Sequence, residues 1–244
     1  MLILNTLYII GIGAEAQTTM TTEATSILQK CDLIVGYTVY TDLVKKYFPQ
    51  KQYYSSAMTQ EKQRVLYAIE QCQKGIKTAI ISSGDSSVYG MASLAYELAE
   101  HTDIDIQVVA GVTACLSASA VLGAVLSNDF AVISLSDLMT PWEQIQKRIA
   151  LSAQGDFLIC LYNPSSKKRK HYLKYACDII LQYQSENTIC GIVKNIARES
   201  QQSRIMTLKE LRETETDMFT TILIGNSKTK LIKGKMVTPR GYSI

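Results

Sequence analysis

No run of about eighteen consecutive apolar residues occurs in this sequence, so no transmembrane helix is expected. The N-terminus lacks a basic region followed by an apolar core and a cleavage site, which argues against a secretory signal. An excess of one charge is missing too. Against 25 Lys and Arg stand 22 Asp and Glu, a net charge of +3, which argues against a dominant nucleic-acid surface but leaves room for a local basic patch. Histidine is scarce, with only His101 and His171, and no metal site or catalytic dyad is visible. The six cysteines (31, 72, 115, 160, 177 and 190) have no C-x-x-C pairing and sit in apolar segments. They read as reduced core thiols rather than disulfides or a zinc site, which implies a cytoplasmic location. No internal repeat and no low-complexity linker is present.

What is there is a core and an alternating pattern. Apolar residues make up 47% of the 244. Apolar runs at 7–12, 33–35, 78–81, 104–109, 131–134, 157–162, 189–194 and 219–224 read as strands. Helical patterns lie between them, as in 21–31, where Ala24, Ile27, Leu28 and Cys31 share a face, and in 59–74, where Val65, Ala68, Ile69 and Cys72 do. Strand–helix alternation throughout implies an α/β fold. The character changes near 122–128, which divides the chain into an N-terminal α/β domain, 1–124, with a mainly parallel sheet, and a C-terminal α/β domain, 125–244. A cleft between two such units is a common place for a ligand.

The chain is organised around 78–91, an apolar strand that runs into Ser82-Ser83-Gly84-Asp85-Ser86-Ser87 and then a helical pattern. Strand, tight turn and helix is how an open α/β sheet presents a ligand site at the carboxyl end of a strand. Gly84 permits close approach or positive φ. Asp85 reads as a helix cap or as a ligand-binding carboxylate. A second glycine turn, Ala110-Gly111-Val112-Thr113-Ala114, opens a small-residue helix that Thr113 would cap. Gly11-Ile12-Gly13-Ala14-Glu15-Ala16 matches G-x-G-x-x-A, but the second strand ends in Gly36-Tyr37 rather than an acid, so the dinucleotide reading loses its support. In 163–170, four successive bases, Lys167 to Lys170, open a helix against its dipole. They read as a solvated face or as a grip on an anionic ligand.

The stretches Tyr8-Ile9-Ile10-Gly11-Ile12-Gly13, Val35-Gly36-Tyr37, 82–91, Gly111-Val112-Thr113-Ala114, 129–138, Thr140-Pro141-Trp142, Tyr162-Asn163-Pro164, Asp217-Met218 and Thr238-Pro239-Arg240-Gly241-Tyr242 together resemble the tetrapyrrole methylases of corrin biosynthesis. Within them the Ser-Leu-Ser-Asp-Leu, Tyr-Asn-Pro and Thr-Pro-Arg-Gly-Tyr stretches are most similar to the group that methylates C-17 of precorrin-3B or cobalt-factor III with ring contraction. The resemblance implies two α/β domains of the tetrapyrrole methylase type, S-adenosylmethionine in the interdomain cleft, and a homodimer. It implies that Gly84, Asp85, Val88, Thr113, Ala114, Tyr162, Asn163, Ala197 and Thr220 meet the cofactor. Its substrate carries acetate and propionate carboxylates, for which Lys167, Lys168, Arg169, Lys194, Arg198 and Arg240 are the nominated bases. No nucleic-acid or membrane partner is implied.

The chain departs from the pattern of that family at Ala14-Glu15, where Pro-Gly is usual, at Ala110 for Pro, and at Asn128 for His. Methyl transfer from a sulfonium needs alignment and exclusion of water more than a metal or a dyad. For the contraction step Asp129 and Asp137 are candidate bases, though each equally reads as a turn residue bonding backbone. Asn128 stands where a group titrating near neutrality would be. Two rival readings remain: a relative acting on another ring carbon, ribosomal RNA or diphthine, and a non-catalytic cofactor-binding paralogue.

Overall fold

The computed structural model describes residues 5–14, 17–166 and 168–243. The chain forms two compact units, Met1–Ala114 and Cys115–Ile244. This division falls ten residues before 124/125, because the helix at Ala114–Leu122 packs with the second sheet: Cys115, Ala118 and Leu122 share a buried cluster with Leu158, Cys160, Val193 and Leu223.

In the first unit the described elements are β1 (Asn5–Gly11), α1 (Thr22–Lys30), β2 (Leu33–Tyr37), α2 (Thr38–Lys45), β3 (Gln52–Ser56), α3 (Glu61–Gln73), β4 (Thr78–Ser82), α4 (Ala92–Ala99) and β5 (Ile104–Val109). The strands pair in the order β3-β2-β4-β1-β5, all parallel. A parallel sheet needs cover on both faces, and it has it. Leu7, Ile9, Val35 and Ile80 face α3 and α4. Ile10, Ile34, Ala79 and Ile81 face α1 and α2. Each fully buried Ile or Leu contributes ~1.5–3 kcal/mol relative to exposure. The start of α1 is fixed by Thr21, whose side chain accepts the Ala24 N–H at 3.1 Å.

The second unit holds most of α5 (Ala114–Leu122), then β6 (Gly123–Ala124), β7 (Phe130–Ser134), α6 (Trp142–Gln154), β8 (Leu158–Tyr162), α7 (Tyr172–Ile180), β9 (Ile189–Lys194), β10 (Gln202–Thr207), α8 (Leu208–Arg212), β11 (Thr220–Ile224), β12 (Lys230–Ile232) and β13 (Lys235–Val237). Its main sheet has the order β10-β9-β11-β8-β7, with only β7 and β8 parallel. A small sheet, β12-β13-β6, accompanies it. One face of the main sheet is covered by α6, α7 and α8 through Ile145, Ile149, Leu173, Ile180, Leu208 and Leu211. A reciprocal capping box between Thr207 and Glu210 starts α8. All six cysteines are free and buried.

Candidate active site

Four glycines, Gly11, Gly13, Gly84 and Gly111, build the carboxyl edge of the first sheet. The β1 and β4 strand ends are joined by two hydrogen bonds, Gly13 N–H to Gly84 O at 3.0 Å and Gly84 N–H to Gly13 O at 2.8 Å. A Cβ on Gly111 would lie 2.1 Å from Gly84 O, and one on Gly11 would lie 2.6 Å from the same oxygen. Backbone thus packs on backbone where β1, β4 and β5 end. The Gly13 N–H is spent on Gly84, so it cannot cradle a pyrophosphate. The next α-helix, α1, begins only at Thr22. Both facts remove the dinucleotide reading. Glu15 and Ala16, which complete that motif, lie outside the described residues.

Asp85 does not cap α4. That helix starts at Ala92 with Met91 in the cap position. The Asp85 carboxylate instead accepts the Gly111 N–H at 2.9 Å and the Ser87 N–H at 2.8 Å, with the Ser87 hydroxyl as a further donor. Burial pushes its pKa up, but the bonds from Ser87, Gly111 and Val88 outweigh it and hold the carboxyl below its usual range. Each carboxylate oxygen has two acceptor positions; Oδ1 holds both Ser87 donors, whereas Oδ2 holds only the Gly111 N–H and retains capacity for a ligand hydroxyl or ammonium. The Val88 N–H bonds Asp85 O at 3.3 Å, Ser86 Oγ donates to Ile9 O at 3.2 Å, and Tyr89 holds φ +54° while exposed. Thr113 and Ala114 lie 3.5 Å from where a Gly84 Cβ would be. Five of the nominated cofactor residues, Gly84, Asp85, Val88, Thr113 and Ala114, therefore belong to one edge of the first unit.

The other four belong to the second unit. The Tyr162 hydroxyl, at the end of β8, accepts the Cys115 N–H at 2.7 Å and so fixes the first turn of α5. Asn163 follows with φ +51° and donates to Ser134 Oγ at 2.9 Å. Ala197 adopts φ +59°, an unusual conformation for a residue with a Cβ, and donates its N–H to Gln201 Oε1 at 2.8 Å. Thr220 is buried and its hydroxyl bonds Asp217 Oδ1 at 2.9 Å. Near Tyr162, the Cys160 thiol bonds Cys115 and lowers the Cys115 pKa, against burial and with help from the Tyr162 hydroxyl.

The nominated bases separate into distinct roles. Lys168 and Arg240 are exposed. Lys194 is paired with Asp217 at 2.7 Å, and Arg198 lies 5.1 Å from the Phe219 ring centroid. Arg169 is turned inward, its side chain only 14% exposed, bonding Ser166 Oγ at 3.1 Å and Leu135 O at 3.3 Å and sitting 3.6 Å from Asp137. Lys167 lies outside the described residues. Of the candidate bases for contraction, Asp129 is exposed and accepts the Leu158 N–H through its backbone oxygen, while Asp137 accepts the Tyr172 hydroxyl at 2.7 Å. Asn128 donates its amide to Pro239 O at 3.3 Å.

Sequence reasoning missed Arg64 and Tyr172. Arg64 is 4% exposed and its guanidinium bonds Ser56 Oγ, Ala57 O and the Met91 sulfur. The signal was there: Arg64 is in i+4 register with Ala68 and Cys72 on the apolar stripe. Among the described residues no group of three or more His, Cys, Asp or Glu could hold a metal, and no helix is long and apolar enough to cross a membrane.

Comparison with known families matches residues 6–212 to the Tetrapyrrole (Corrin/Porphyrin) Methylases. The chain belongs to this family. Among its relatives, a Methanocaldococcus jannaschii protein named "Probable cobalt-factor III C(17)-methyltransferase" is 45% identical, covering 97% of both chains. A Salmonella typhimurium protein of the same name is 41% identical over 98% of this chain and all (100%) of its own. Among solved structures of tetrapyrrole methylases, the methyltransferase CobJ superposes with a TM-score of 0.88 at 30% identity, covering 96% of this chain and 99% of that one. The two-sheet α/β fold expected for a tetrapyrrole methylase is therefore the fold observed.

Proposed function

We propose that this chain is an S-adenosylmethionine-dependent C-methyltransferase of cobalamin biosynthesis that methylates C-17 of a cobalt-factor III type tetrapyrrole with ring contraction. The observation that carries the reading is 45% identity along 97% of a protein bearing that name. Cobalt, on this reading, is part of the substrate. Precorrin-3B, the metal-free counterpart, is the substrate to test beside it.

The residues after β4 and β5 fit the cofactor. Gly84, bare of a Cβ and at φ +66°, leaves the backbone approachable. The ionised Asp85 beside it suits hydroxyl or ammonium groups. In this proposal Gly84, Asp85, Val88, Thr113 and Ala114 hold the cofactor. Tyr162, Asn163, Ala197 and Thr220 are the second unit's nominated contacts. When bound, S-adenosylmethionine supplies a methyl group whose bond to sulfur breaks as the bond to C-17 forms. The protein's part is to hold the partners in line and keep water out. Lys168, Lys194, Arg198 and Arg240 are the bases proposed for the carboxylates of the tetrapyrrole. The enzyme is further proposed to act as a cytoplasmic homodimer without nucleic-acid or membrane partners.

The test is incubation with methyl-labelled S-adenosylmethionine and, separately, cobalt-factor III and precorrin-3B, followed by mass spectrometry. A labelled methyl appearing on cobalt-factor III supports the proposal. Label appearing on neither tetrapyrrole refutes it. Light scattering on the eluting protein tests the dimer.

A further inference from the structure

The loop 135–141, between β7 and α6, carries two neighbouring large apolar side chains in water: Leu138 is 71% exposed and Met139 95% exposed. Such a tip should fold back onto the protein or move freely unless it is held. It is held from both sides. The Leu135 N–H bonds Tyr162 O at 2.9 Å, and Ser134 Oγ accepts the Ser136 N–H at 3.2 Å and the Asn163 amide at 2.9 Å. Arg169 donates to Leu135 O at 3.3 Å and sits 3.6 Å from Asp137, whose other oxygen accepts the Tyr172 hydroxyl at 2.7 Å. The Tyr172 ring packs on Trp142, centroids 4.2 Å apart. The brace places the loop against the 163–172 segment, where Lys168 and Lys170 are exposed on either side of the inward Arg169.

An exposed apolar surface rimmed by charge marks an interaction site. Here Lys168 and Lys170 bring positive charge to the rim, Asp137 is already neighboured by Arg169, and Glu143, exposed in the first turn of α6, is the acid on the Tyr172 side. A flat apolar macrocycle with carboxylates at its periphery is complementary to both parts. We infer that Leu138 and Met139 form an apolar seat for the tetrapyrrole ring, that Lys168 and Lys170 meet its carboxylates, and that Arg169 and Tyr172 are positioning residues that never touch substrate. The inference deepens the tetrapyrrole reading above and rests on it. It also moves Arg169 from the grip to the brace.

The experiment is a pair of equilibrium titrations, with cobalt-factor III and with S-adenosylmethionine, on wild type, on the double variant Leu138→Ser/Met139→Ser, and on Tyr172→Phe, alongside steady-state kinetics. The double variant should bind the tetrapyrrole roughly tenfold more weakly, with cofactor affinity and melting temperature unchanged because both side chains are exposed. Leu138→Ile/Met139→Leu should restore tetrapyrrole affinity. Tyr172→Phe should raise KM for the tetrapyrrole severalfold and change kcat less. Wild-type affinity in the serine variant, with wild type itself binding, overturns the seat and leaves the proposed function standing. Wild-type protein that binds no tetrapyrrole at all overturns both.

Discussion

The Asp85 carboxylate accepts the Gly111 N–H at 2.9 Å and so ties the turn after β4 to the turn after β5. Its other oxygen holds the Ser87 N–H at 2.8 Å. Asparagine has one acceptor oxygen, so Asp85→Asn would turn an NH2 towards one of these N–H groups. A hydrogen bond to a charged group contributes ~1.5–3 kcal/mol. Asp85→Asn should therefore lower the melting temperature without ligand and weaken S-adenosylmethionine about tenfold or more. Calorimetry of the free protein and a binding titration measure the two effects. A variant unchanged in both would show that the turn needs no charge.

The same bonds make a prediction in pH. The folded pKa of Asp85 is depressed, since the bonds from Ser87, Gly111 and Val88 outweigh the opposing burial. A depressed acid contributes stability that is present above its unfolded pKa, about 3.9, and is lost as pH falls through the lower folded value. The stability gap between wild type and Asp85→Asn should thus be full at neutral pH and shrink below about pH 4. Urea unfolding across that range checks it. A gap that stays constant would rule out the ionised carboxylate as its source.

Two glycines in the same edge should respond differently to alanine. At Gly84 the new Cβ meets nothing closer than 3.5 Å, and the penalty is the positive φ of +66°. That conformation costs about 1–2 kcal/mol for a residue with a side chain. At Gly111 the new Cβ would sit 2.1 Å from Gly84 O, which is backbone and cannot rotate away. Gly111→Ala should be much the more damaging, and should also break the Asp85 bond. Melting temperatures should fall in the order wild type, Gly84→Ala, Gly111→Ala; the reverse order would contradict the close packing.

The strands that composition reveals are the buried ones. Ile80 and Ile81 of β4, and Leu158 to Leu161 of β8, are covered on both faces and read as apolar runs. Strands β3 and β10 escaped notice because each is the edge of its sheet, and Gln52-Tyr53-Tyr54-Ser55-Ser56 and Gln202-Ser203-Arg204 carry polar residues towards water. The glycine turns at Gly84 and Gly111 were legible because only certain residues tolerate those backbones. The partners of Asp85, Arg169 and Tyr172 were not, since contacts 26 or 35 residues apart leave no local pattern.

Arg64 offers a test of a buried charge held by neutral acceptors. Its Nε bonds Ser56 Oγ at 2.9 Å and its Nη2 bonds Ala57 O at 3.0 Å. Burial pulls its pKa below the usual value. Arg64→Met would fill similar space but leave these acceptors unpaired, at roughly 1–3 kcal/mol each. Arg64→Lys keeps the charge and loses the planar fork. Both should lower the melting temperature, the methionine variant more. A neutral or stabilising Arg64→Met would show that the bonds do no more than offset the desolvation of the guanidinium.

Lys168 and Lys194 should part company when each is replaced by alanine. Lys194 is paired with Asp217 at 2.7 Å, and Asp217 in turn holds the Thr220 hydroxyl and the Phe219 N–H. The pair is partly exposed, so its loss should cost about 1 kcal/mol or less. Its consequence should instead be local: Asp217, released from the ammonium, can shift, and Thr220, a nominated cofactor contact, shifts with it. Lys168 is exposed, in the segment that precedes α7. Lys168→Ala should leave melting and cofactor affinity alone, raise KM for the tetrapyrrole, and make that KM less sensitive to salt, because one screened attraction is gone. Lys194→Ala should weaken S-adenosylmethionine as well. Equal effects of the two variants on both ligands, measured by titration at low and high salt, would show that the Lys194–Asp217 pair does not position Thr220 for the cofactor.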